Sequence, residues 1–188
     1  DESDVVYSYI GYRAENTANY RTIFIQIKNP IQYRVKLVKY DTAENEITNA
    51  NLQITRNGEV FTNIEGENKL SSINISETNV NAGDVTSYTI RENSVDSPYV
   101  NILENKAYVV VTRVDARTNK LSILTKFLVE TTTGRIIYSG DEAFNYINCE
   151  LVTGDDGIQT VLVKLQNPYE CKRKTFAPDS TQIKLGEN

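Results

Sequence analysis

The chain has 188 residues, 39 % of them hydrophobic and 24 % charged, with a formal net charge of −5. It is long enough to bury a core and too apolar for a disordered segment, and its acidic balance offers no footprint for the phosphate backbone, so nucleic acid is not an expected partner. Histidine, tryptophan and methionine are absent, which removes every Ser-His-Asp, Cys-His or His-zinc site from consideration.

Val, Ile, Thr and Tyr recur in short alternating bursts, and Asn, Asp, Gly and Ser gather between them. This is the pattern of an all-β protein. In chain order the bursts predict strands over Val5 to Tyr12, Arg21 to Lys28, Arg34 to Tyr40, Leu52 to Arg56 and Thr86 to Arg91. Further strands follow over Ala107 to Val114, Leu121 to Glu130, Arg135 to Tyr138, Ile147 to Leu151 and Thr160 to Leu165. Turn chemistry falls between them: Asn57-Gly58 suits a tight hairpin, and Thr133-Gly134 and Gly154-Asp155-Asp156-Gly157 separate later apolar runs. Many short strands joined this way predict a β-sandwich or barrel.

Two segments echo each other. Thr22 to Pro30 and Thr160 to Pro168 are both alternating strands that stop at Asn-Pro. Proline has no donor N–H and biases the preceding residue towards extended geometry, so each reads as the last strand of a unit followed by a linker. The asparagines, Asn29 and Asn167, are 138 residues apart. On this reading residues 1–30 are the trailing strands of a preceding repeat, 31–168 a whole repeat, and 169–188 a tail or connection to the next domain. A single domain with two similar strands is the simpler alternative. Because the first residue is Asp1 and no basic-then-apolar leader follows it, the expectation is a segment of something longer, with signal and anchor outside it.

Side chains alternate faces along a strand, so residues of equal parity share a face. Lys39 follows Val35 and Leu37, Glu92 follows Tyr88 and Ile90, and Asn167 follows Val161, Val163 and Leu165. A lysine, a glutamate and an asparagine are thereby aimed into one core. Burial pushes an amine towards neutrality and a carboxyl towards protonation. Such an amine can attack the asparagine side-chain carbonyl while the acid shuttles the proton, with ammonia leaving and an isopeptide bond remaining. The plain alternative places all three at strand ends, with Lys39 and Glu92 as an ordinary ion pair or reaching for water.

The stretch from Val35 to Asp41, then Ile47 to Ile54 and Asn57-Gly58, resembles the opening of the collagen-adhesin B-type (Cna-B, prealbumin-like) repeats of Gram-positive surface adhesins and pilins. Those repeats open with an alternating strand ending Lys-x-Asp. They later carry a Tyr-Thr-x-x-Glu strand, matched by Tyr88 to Glu92, then Pro and Tyr, matched by Pro98-Tyr99, and finish on a strand ending in Asn, as at Asn167. The resemblance implies Lys39 as nucleophile, Glu92 as acid/base partner and Asn167 as electrophile, with Asn29 as the equivalent asparagine of the preceding repeat. The sequence departs from the pattern where Asn49 stands in place of a glycine, and the stretch from Glu92 to Asn167 is longer than in a small repeat. The implied fold is an immunoglobulin- or prealbumin-like β-sandwich with extra strands, and the implied role that of a structural or adhesive repeat on the bacterial cell surface or in a pilus, not an enzyme. Its implied partners are neighbouring repeats and a host matrix protein or glycan. No cofactor, metal or membrane contact by this segment is expected.

Weaker signals remain. Cys149 and Cys171 are the two cysteines, and in an oxidising compartment they are expected to bridge, free thiols being the alternative. Asp41, Glu44 and Glu46, and likewise Asp155 and Asp156, offer oxygen ligands without calcium-loop spacing. Cys149 with Gln159 or Gln166 is conceivable material for an internal thioester, and Asp115, Glu130, Asp141 and Glu142 are a scatter of carboxylates without a pairing motif. The rival to the stalk is a carbohydrate- or host-protein-binding β-sandwich with its site on the loops.

Overall fold

A computed structural model describes residues 8–16, 20–28, 31–63 and 71–170. The strands are β1 (Ser8–Asn16), β2 (Arg21–Lys28), β3 (Ile31–Asp41), β4 (Ala50–Arg56), β5 (Glu59–Asn63), β6 (Ser72–Val80) and β7 (Val85–Val95). They continue with β8 (Lys106–Val114), β9 (Leu121–Glu130), β10 (Ile136–Ile137), a 3₁₀ turn (Glu142–Tyr146), β11 (Ile147–Thr153) and β12 (Gln159–Asn167). The fold is all-β, as the alternation predicts.

Two sheets face each other across the core, one with strand order β10-β9-β8-β7-β4-β5 and one with order β11-β12-β3-β6. β1 and β2 pair antiparallel with each other in a separate two-stranded sheet. Asn29 and Pro30, on which the repeat boundary was placed, lie outside the described residues. Inward residues of β3, β6 and β12, namely Val35, Leu37, Ile73, Ile75, Val161, Val163 and Leu165, meet Leu52, Ile54, Ile90, Tyr108, Val110 and Leu128 from the other sheet. All of these are at most 5 % exposed, and removal of so much apolar surface from water is what holds the layers together.

One pairing decides the mechanics. β3 and β12 are neighbours and run parallel, with Tyr33 opposite Gln159, Lys39 opposite Leu165 and Asp41 opposite Asn167. Parallel neighbours need a long crossover, and here every other strand of the two large sheets lies within it. The chain thus enters the sandwich at one end of β3 and leaves from the opposite end of β12.

The hairpin at Asn57-Gly58 forms as its sequence predicts, with φ of 50° and 87°. These paired left-handed positions make the turn that matches strand twist. β5, β6 and the 3₁₀ turn were not expected. In β6 only Ile73, Ile75 and Val80 are apolar among Ser, Asn, Glu and Thr, a composition that reads as loop; pairing with β3 overrides that preference. β6 also sends Glu77 inward, where it accepts a hydrogen bond from the Tyr88 hydroxyl at 2.7 Å. The Tyr88 hydroxyl lies 2.8 Å from that of Tyr33. Arg56 Nε sits 2.9 Å from the same carboxylate, so this buried charge is compensated at the rim.

Candidate functional site

Lys39 follows Val35 and Leu37 in the inward row of β3, ahead of Asp41, while Asn167 ends the inward row of β12 and Glu92 that of β7 in the facing sheet. The parity that aims them inward from sequence is the parity observed: Lys39 is 0 %, Asn167 0 % and Glu92 4 % exposed. The structure brings all three together. Lys39 Nζ donates to Glu92 Oε1 in a short, fully buried contact. Asn167 Nδ2 lies 3.1 Å from the same oxygen, 3.2 Å from Glu92 Oε2 and 2.8 Å from the Val100 carbonyl oxygen. Asn167 Oδ1 is buried without a hydrogen-bond partner.

Burial pushes the Lys39 ammonium below its ordinary range, and the charge and hydrogen bond of Glu92 pull part of the way back. The outcome is a lysine whose proton is easier to give up than in water, sharing a carboxylate oxygen with an amide nitrogen. An ion pair sealed in this way contributes little net stability against an apolar replacement. Its retention in the core therefore calls for another reason.

The segment between β7 and β8 closes the site. The Ile102 backbone N–H donates to Glu92 Oε2 at 3.0 Å, and Asn101 Nδ2 donates to the Glu92 backbone carbonyl at 2.9 Å. Tyr99 and Tyr169 stack with ring centres 4.8 Å apart. Val100 N–H donates to the Pro168 carbonyl at 2.9 Å, which lays this segment against the continuation of β12. Asn101 was not singled out from sequence, because a lone asparagine in a turn carries no signal without its partners.

Other candidates resolve locally. Asp41 accepts from the backbone N–H groups of Ala43 and Asn45 and from the Asn45 side chain, which hold its carboxyl below the usual range. Asp156 pairs with Arg34 at 2.7 Å. No group of three or more metal-ligating side chains occurs among the described residues. Asp115 caps the turn at Arg117 and Thr118, Glu130 binds Arg135 and Thr133, and Asp141 caps the 3₁₀ turn at Ala143. The expected bridge between Cys149 and Cys171 falls outside the described residues, because Cys171 is not among them. Cys149 is a buried thiol, 5 % exposed; its strand parity turns it into the core, where burial raises it to about 11. Cys149 stands opposite Val163 and Gln159 opposite Thr153, while Gln166 occupies the outward parity of β12, so no thioester pair is assembled.

On the outer side of β3 and β12 a cleft of about 520 Å³ is lined by Tyr40, Tyr146, Asn148, Lys164 and Gln166. Among the described residues no helix is long and apolar enough to cross a membrane.

No family model and no curated protein matches the sequence. Among solved structures, the C-terminal fragment of the pilus adhesin SpaC from Lactobacillus rhamnosus GG is similar at 13 % identity and a TM-score of 0.45, over 87 % of this chain and 58 % of that one. A longer structure of the same adhesin gives 13 % identity and 0.44 over 87 % of this chain and 19 % of that one, and its open conformation gives 12 % and 0.41 over the same shares. The chain thus spans 58 % of the fragment and 19 % of the longer adhesin. At these values the likeness carries no argument about this chain.

Proposed function

We propose that this chain is a structural and adhesive repeat of a bacterial cell-surface protein or pilus, of the Cna-B kind, strengthened by an isopeptide bond between Lys39 Nζ and Asn167 Cγ. The observation that carries the reading is the solvent-free convergence of Lys39 and Asn167 on one carboxylate oxygen of Glu92. Glu92 takes a proton from the Lys39 ammonium, and the neutral amine attacks Cγ of Asn167. The Nζ–Cγ bond forms and the Cγ–Nδ2 bond breaks. The leaving nitrogen departs as ammonium, with its own two hydrogens and two protons from Lys39 relayed by Glu92, which ends as the carboxylate it began. The reaction occurs once, with no external substrate.

The parallel neighbours β3 and β12 give the bond its use. Tension entering along β3 passes at Lys39 directly to Asn167 and out, so the intervening 127 residues are not stretched. On this reading the segment is extracellular, its neighbours are further repeats of the same protein, and residues 1–30 end a preceding repeat. The test is a tryptic map: one branched peptide joining the segments that contain Lys39 and Asn167 is expected, and it should be absent from Glu92→Ala. Separate linear peptides in the wild-type digest would remove the cross-link.

The second reading, a carbohydrate- or host-protein-binding module, is favoured by the outer cleft, where two tyrosines adjoin amide and amino groups. It predicts ligand binding that is abolished by Tyr40→Ala and indifferent to Glu92→Ala.

A further inference from the structure

We propose that Asn101 is a positioning residue for the cross-link, holding the 100–102 backbone so that Asn167 presents its leaving nitrogen, not its oxygen, to Glu92. The proposal rests on the cross-link reading above and adds the device that orients it.

The backbone from Pro98 to Leu103 touches both the acid and the electrophile. Its Val100 carbonyl accepts from Asn167 Nδ2 at 2.8 Å, and its Ile102 N–H donates to Glu92 Oε2 at 3.0 Å. These two contacts fix the roles of the side chains. With the Ile102 N–H on Oε2, Lys39 is left to Oε1, the oxygen that also lies 3.1 Å from Asn167 Nδ2. With the Val100 carbonyl beside Asn167, the carboxamide must turn a donor towards it, since two facing carbonyl oxygens would repel. The buried Oδ1 is left without a partner as a result.

That orientation has a chemical meaning. Once Glu92 has taken the Lys39 proton, it faces the nitrogen that must leave. It can then protonate Nδ2 as the Cγ–Nδ2 bond breaks, which is the harder half of amide exchange because an unprotonated amide nitrogen is a poor leaving group. The unpartnered carbonyl remains open to attack by Lys39.

Asn101 is what holds this backbone. Its Nδ2 donates to the Glu92 backbone carbonyl at 2.9 Å and its Oδ1 accepts from Leu103 N–H at 2.9 Å. One side chain thus ties the segment to β7 and sets its turn. On the other side Val100 N–H to the Pro168 carbonyl at 2.9 Å and Glu170 N–H to the Pro98 carbonyl at 2.6 Å tie it to the continuation of β12. Asn101 touches neither reacting atom, so it acts through Val100 and Ile102.

The experiment follows newly made protein. The full chain is synthesised cell-free and sampled over time by intact mass for the loss of one ammonia, beside Asn101→Ala, Asn101→Ser and Glu104→Ala. The folded fraction is measured separately with each change placed in a Glu92→Gln background, where no bond forms. Asn101→Ala is expected to slow ammonia loss about tenfold to a hundredfold, in keeping with a misplacement of reacting groups, while the folded fraction stays as in the parent. Asn101→Ser retains an acceptor for Leu103 N–H and should react at an intermediate rate. Glu104→Ala, an exposed position of the same loop, should react as the wild type does. Reaction of Asn101→Ala at the wild-type rate, or slowing only in proportion to its loss of folded protein, overturns the positioning role with the cross-link intact. A wild-type chain that never loses ammonia overturns the cross-link and the positioning role together.

Discussion

Replacing Asn167 with alanine removes the electrophile and leaves the Lys39–Glu92 pair in place. The loop that the bond would close spans 129 residues, from 39 to 167 inclusive. The chain-entropy relation for a covalent loop of that length gives about 5 kcal/mol of restriction on the unfolded chain. For a domain of this size each kcal/mol moves the melting temperature by about 2–4 °C, so Asn167→Ala should melt about 10–20 °C below the wild type. Lys39→Met loses the same bond and, unlike Asn167→Ala, leaves the buried Glu92, 4 % exposed, without a cation, so it should be less stable than Asn167→Ala by about 3–5 kcal/mol. Calorimetry of the three proteins, each with its mass recorded, separates the two contributions. If Asn167→Ala melts within a few degrees of the wild type, no covalent loop was lost and the reasoning fails.

Three further outcomes follow from other parts of the core. Tyr88→Phe leaves Glu77 and the Tyr33 hydroxyl short of a partner and should cost about 1–3 kcal/mol in urea unfolding, with the ammonia loss unchanged; a neutral result would mean that water reaches Glu77. Glu130 is held at about 2 against an ordinary 4.5 by hydrogen bonds from Arg135 and Thr133. A depressed carboxyl stabilises above its unfolded value and loses that contribution as pH falls from 4.5 towards 2. Glu130→Gln should therefore lose less stability than the wild type across that window, and equal slopes would contradict the assignment. The buried Cys149 thiol, raised to about 11, should resist iodoacetamide in the folded protein and react once urea unfolds it; rapid native labelling would show that this edge of the core opens.

The sequence and the structure agree where alternation is strong. β3, β7 and β12 carry unbroken inward rows, and following those rows one step past the last apolar residue reaches Lys39, Glu92 and Asn167. What brings the three together is legible only in part. Parity gives the face but not the pairing, and the parallel register of β3 with β12 has no local signature, since it joins strands more than a hundred residues apart in the sequence. β6 escaped because its polar composition is rescued by an edge position against β3. Glu77 escaped with it, although the Tyr88 hydroxyl needed some partner in the core. Asn101 was invisible for a different reason: its significance lies in the groups on either side of the loop it pins, not in its own residue type. The same parity rule that located the triad turns Cys149 into the core.

The most direct measurement is the intact mass of the purified chain under denaturing conditions, where neither folding nor bound ions contribute. The account predicts a wild-type mass lower than that of the sequence by one ammonia, and full sequence masses for Lys39→Met, Glu92→Ala and Asn167→Ala. A wild-type chain at its full sequence mass would contradict it, leaving Lys39 and Glu92 as a buried ion pair beside an unreacted asparagine.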